Sequence, residues 1–109
     1  MDAEQRDLLL SIAFLHLTCG RERRALPLLL LVAANNPDDP DCLRALAHAY
    51  TATSRGELAL VVLDRLDVGA GEAGTVALLR ARALHQAGRL DEARACFAVF
   101  SSAAIRTAA

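Results

Sequence analysis

The chain has 109 residues, 54% of them hydrophobic and only 4% aromatic, with 12 basic against 13 acidic side chains and a net charge near −1. This composition excludes a disordered segment, leaves room for one domain (residues 1–109) with an aliphatic core, and supplies no field that favours nucleic acid or an anionic membrane. Met1-Asp2-Ala3-Glu4-Gln5 lacks the basic segment and apolar core of a signal peptide, and no apolar run reaches the roughly 18 residues of a membrane span, so a cytoplasmic protein that is not membrane-inserted is expected.

In chain order, Leu8, Leu9, Ile12, Leu15 and His16 follow steps of three and four residues, which predicts a helix over about 4–18 closed by Cys19-Gly20. A second helix is expected over about 22–34, with Pro27 near enough to its start to be accommodated. Asn35-Asn36-Pro37-Asp38-Asp39-Pro40 breaks the chain, and either aspartate suits the N-cap of the next helix. Helices near 40–53 and 56–67 come next, then a glycine-containing connection over 67–74 that reads as a loop rather than a hinge. The last pair falls near 75–87 and 90–102, with Gly88 closing one helix and Asp91-Glu92 at the positive end of the other; the tail 107–109 is expected to fray.

These elements obey a period. Ala13, Ala47 and Ala81 are 34 residues apart, as are Ala25, Ala59 and Ala93. The same frame aligns Gly20 with Ser54 and Gly88, His16 with Tyr50 and Leu84, and Leu29 with Leu63 and Phe97. A 34-residue period marks helical hairpins that bury their apolar faces by stacking on neighbours, and a stack of three is close to the minimum for a continuous core. The chain is therefore expected to be all-α: three helical hairpins, over about 6–39, 40–73 and 74–107, in a short right-handed solenoid with a concave groove. Such an array suits binding, and a partner in the groove would add to its stability.

Counted from Arg6, Pro40 and Gly74, the pattern resembles the tetratricopeptide repeat. Its small residue recurs as Ala13, Ala47 and Ala81, its second alanine as Ala25, Ala59 and Ala93, its glycine as Gly20 and Gly88, and its terminal proline as Pro37. The family's tryptophan is missing, Gly71 replaces the second terminal proline, and Arg80 stands at a usually apolar position. The resemblance implies that the first helix of each hairpin lines the concave face through Asp7, Leu10, Phe14 and Leu17, then Asp41, Arg44, His48 and Thr51, then Thr75, Leu78, Arg82 and His85. Leu10, Phe14, Leu17 and Leu78 would anchor a bound segment, with Arg44, His48, Arg82 and His85 contacting its polar edge or backbone. The alternative for Leu10 and Phe14 is packing within the array.

A second surface comes from comparing hairpins. Leu30 and Leu31 fall 34 residues before Asp64 and Arg65, so the first hairpin is apolar where the second is charged. An end hairpin needs a polar outer face, so these leucines point to a partner or dimer contact in preference to local repacking. Arg21, Arg23 and Arg24 form a basic patch that reads as a solvated helix start ahead of an acidic docking site.

No chemistry is demanded elsewhere. Cys19, Cys42 and Cys96 are odd in number and widely spaced, as buried reduced thiols are. His16, His48 and His85 fall on different helix faces, and no nucleophile elbow, phosphate loop or carboxylate pair is present. No catalytic residue, metal or cofactor is expected.

Leu15-His16-Leu17-Thr18-Cys19-Gly20, followed by Ala25, the leucine run and Asn36-Pro37, with Gly88-Arg89-Leu90-Asp91-Glu92-Ala93-Arg94 near the end, resembles the YscY (SctY) family of type III secretion chaperones over nearly the whole chain. That resemblance implies a cytoplasmic virulence-system chaperone that binds the small secreted component YscX (SctX) as a heterodimer. It further implies delivery of that client to the inner-membrane export gate YscV (SctV), where the chaperone would sit transiently. A chaperone for needle or translocator subunits of the same system, or a general tetratricopeptide adaptor, stays open beside it.

Overall fold

The computed structural model describes residues 1–66 and 73–108, and these form six helices with no strand. They are α1 (Ala3–Thr18), α2 (Glu22–Asn35), α3 (Pro40–Ala52), α4 (Gly56–Asp64), α5 (Ala73–Gln86) and α6 (Leu90–Ala108). Two expected limits move. α4 stops at Asp64 instead of near 67, because the Arg65 and Leu66 amides turn back onto the Val62 and Leu63 carbonyls in a tighter closing turn. α6 runs beyond 102 and includes Thr107 and Ala108, expected to fray, since nothing after Gly88 breaks an alanine-rich run. The glycine-containing connection falls on residues 67–72, outside the described residues, and Ala73 and Gly74 already belong to α5.

Local chemistry sets where the helices begin and end. Asp2 and Gln5 form a capping box on α1: the Asp2 carboxylate accepts from the Gln5 amide while the Gln5 side chain accepts from the Asp2 amide. Of the two candidate aspartates Asp39 is the cap of α3, accepting from the Asp41 and Cys42 amides, with Pro40 at the first helical position. The three tight turns share one geometry. Gly20, Ser54 and Gly88 all take positive φ, at 74°, 65° and 81°. The next residue then donates to a carbonyl of the preceding helix at the same register each time: Arg21 to His16 at 2.7 Å, Arg55 to Tyr50 at 2.7 Å, Arg89 to Leu84 at 2.9 Å. Orphan carbonyls at three helix ends are thereby satisfied by one repeated Schellman-type turn.

The framed alanines are buried: Ala13, Ala25, Ala47 and Ala59 are at most 1% exposed, and Ala81 and Ala93 stay covered as well. Small side chains there let each helix pack on the next, and α3 also packs on both α1 and α5. Two apolar clusters result. Leu29, Val32, Cys42 and Leu46 centre the first, Leu43, Leu60, Leu63 and Leu84 the second, and α3 contributes to both. At Gly56 the chain needs the absence of a side chain, since an added Cβ would lie 2.5 Å from the Ala83 carbonyl oxygen, and its amide donates to Gln86 Oε1. Arg80, at its unusual position, reaches Asp64 at 2.8 Å and ties α5 to α4.

Candidate interaction surfaces

Leu10 is not available to a partner: at 4% exposure it is closed into the first cluster with Ala13, Leu46 and Ala49, because α3 lies against α1. Leu17 is half-buried against the same cluster. Phe14, by contrast, is 43% exposed on α1. Leu30 and Leu31 are 47% and 49% exposed on α2, so no local repacking covers them.

An apolar concavity lies between α5 and α6, a groove of about 950 Å³ that also touches Thr51 of α3. Four residues expected on the concave face meet there, Thr51, Leu78, Arg82 and His85, and two that the family pattern does not assign to that face, Leu90 and Phe97, add to the apolar wall. Phe97 aligns with the core residues Leu29 and Leu63 and so reads as core in sequence; it is 52% exposed because no described helix follows α6. Its ring leans on Phe100 with centroids 5.7 Å apart. A smaller cavity of about 110 Å³ brings His48 and Thr51 of α3 together with Leu79 and Arg82 of α5, so His48 and Arg82 share one recess.

Arg44 has a different neighbourhood. Its guanidinium donates to Asp41 Oδ1 at 2.9 Å, and the other Asp41 oxygen accepts from Arg6 at 2.9 Å. Arg6 also holds Asp39 with two bonds, Nε to Oδ2 at 2.6 Å and a terminal nitrogen to Oδ1 at 2.8 Å, and reaches Asp7 at 2.7 Å. This bidentate pair joins α1 to the cap of α3. Above all the Arg6 guanidinium holds the Asp39 carboxyl below the usual carboxylate range, with the Cys42 and Asp41 amides adding to the effect against the cost of burial. The same three carboxylates raise Arg6 further above its ordinary value. The basic patch stands beside a shallow recess of about 370 Å³, where Arg21, Arg23 and Arg24 face the Ala52-Thr53-Ser54 turn.

The cysteines divide. Cys42 is fully buried, its thiol donating to the Leu29 carbonyl at 3.2 Å, and burial first, then the Asp39 charge, pushes its pKa up to about 11. Cys96 is half-buried, and Cys19 is exposed at the C-cap of α1, against the expectation that all three are buried. A thiol at the end of a helix, past its last apolar contact, has no neighbour to cover it.

Among the described residues no group of His, Cys, Asp and Glu is placed to hold a metal ion, and no helix is long and apolar enough to cross a membrane. In comparison with known proteins, no family model and no curated protein matches the chain.

Proposed function

We propose that the chain is a non-enzymatic binding protein, a short tetratricopeptide-like array that sequesters apolar segments of a secreted client. In this reading α1–α2, α3–α4 and α5–α6 are three stacked hairpins forming a right-handed arc, and the matching turns at Gly20, Ser54 and Gly88 support a common hairpin unit. The observation that carries the function is the amount of large apolar side chain left in water. Phe14, Leu30, Leu31, Leu58, Val61 and Val99 are each more than 40% exposed, while no buried polar side-chain atom among the described residues lacks a partner. The interior is satisfied and the surface is sticky, the balance of a protein that works by covering another's apolar surface.

On the resemblance to the YscY family, the client is a YscX-like secreted component and the destination a YscV-like export gate. Helical or extended client segments would lie on Phe14 and Leu17 of α1 and on the Leu78, Arg82 and His85 surface of α5. Leu30 and Leu31 would provide a second apolar contact. No cofactor or nucleotide has a part in this sequestration.

Co-expression of the chain with candidate clients, a YscX-like component, a needle subunit and a translocator, tests the proposal. The YscX-like component should co-purify, and Phe14→Asp or the pair Leu30→Asp with Leu31→Arg should abolish capture while a helical spectrum remains. Undiminished capture by both variants would refute the assigned surfaces, and capture of a needle or translocator subunit instead would transfer the activity to that client.

A further inference from the structure

The groove between α5 and α6 occupies, in the 34-residue frame, the place that α3 fills against α1–α2 and that α5 fills against α3–α4. The receiving residues are Leu29, then Leu63, then Phe97; the first two are at most 1% exposed because the next helix covers them, and Phe97 is 52% exposed. The inserted faces correspond as well. α3 buries Cys42, Leu46 and Ala49 in its junction, and α5 buries Val76 and Ala83 at the matching positions. One period earlier those positions are Leu8, Ile12 and Leu15 of α1, which no described helix covers: they are 61%, 36% and 65% exposed. One end of the molecule therefore presents the inserting face, and the other end the receiving groove.

We infer that, when no client occupies it, the α5–α6 groove receives α1 of a second copy of this chain, in a head-to-tail contact that continues the intrachain packing. In this register Leu8 lies over Phe97, as Cys42 lies over Leu29 through its 3.2 Å thiol contact. Ile12 meets Ala98 where the second junction joins Arg80 to Asp64 at 2.8 Å, an apolar pair in place of an ion pair. Leu8, Leu15, Leu90 and Phe97 are larger than Cys42, Ala49, Gly56 and Leu63, so the two copies stand farther apart than helices in the interior junctions. A contact of this kind is heterologous: each copy keeps one unused end, and assembly proceeds to open chains or a ring.

Sedimentation of the purified chain over a wide concentration range tests this, and it needs no client. One helix in one groove is a small interface, so the weight-average mass should rise with concentration from that of the 11.6 kDa chain. Leu8→Asp disables the head and Phe97→Asp the groove; both residues are exposed within a single chain, so helicity is retained, and Leu15→Asp serves as a second head variant. Each variant alone should stay monomeric. An equimolar mixture of Leu8→Asp and Phe97→Asp should restore association and stop at the dimer, since the one good head meets the one good groove. A wild-type chain that stays monomeric throughout, whose groove would then serve a helix of another protein, overturns the inference. So does association of either variant alone at the wild-type level, or a mixture that remains monomeric.

Discussion

Ser54 is the one non-glycine among three turns of identical geometry, and its replacement is the cleanest test of the shared hairpin end. Its φ of 65° lies in the left-handed region, where Gly20 and Gly88 stand at the equivalent turns. A side chain there costs about 1–2 kcal/mol. Glycine removes that cost but adds unfolded-state entropy worth about 0.4–1 kcal/mol. Ser54→Gly is therefore expected to stabilise the fold by about 0.5–1 kcal/mol. For a chain of 109 residues, 1 kcal/mol corresponds to about 4 °C in Tm, so the melting point should rise by about 2–4 °C. The converse changes use the same physics. No atom lies within 4 Å of a Cβ added at Gly20 or Gly88, so Gly20→Ala and Gly88→Ala meet no clash and carry only the left-handed backbone strain, partly offset by the unfolded-state freedom that alanine removes, and should each cost about 1 kcal/mol. Thermal unfolding followed by helical circular dichroism measures all three. A lower Tm for Ser54→Gly, or unchanged values for both alanine variants, would refute a common left-handed turn.

Three further outcomes are expected. Gly56→Ala places a Cβ 2.5 Å from the Ala83 carbonyl oxygen, so it should destabilise by about 1–3 kcal/mol in urea melts, and a neutral result would show that α4 and α5 are not in close contact there. Asp39→Asn keeps a capping oxygen but breaks the clamp to Arg6, whereas Asp39→Ala also loses the cap, at about 1 kcal/mol. Because Asp39 has a folded-state pKa below its unfolded value of about 3.9, the wild-type advantage over Asp39→Asn should be full above that pH. It should fade as the pH falls through the lower folded value; an advantage that persists in strong acid would contradict the ion pair. With a thiol reagent under native conditions Cys19 should react first, Cys96 more slowly, and Cys42 only on unfolding, read by peptide mapping; early labelling of Cys42 would contradict its burial.

The sequence alone carried the six helices to within a few residues at most ends, the alanines at their crossings and the glycine turns, because each depends on local periodicity or on one residue's backbone freedom. Ser54 shows the frame outranking residue type: aligned with two glycines, it adopts their conformation. Tertiary packing decided which apolar residues are covered. Leu10 and Phe14 are equivalent as anchors in the family pattern, yet α3 closes over the first and leaves the second in water. Leu29, Leu63 and Phe97 share one register, but burial there requires a helix to follow, and the described chain ends its helices at α6. The 34-residue period therefore determines the unit and its interior. What lies at the ends, and whether a sticky face is core or interface, is decided by neighbouring helices, because exposure depends on what lies against a surface and not on the residues that form it.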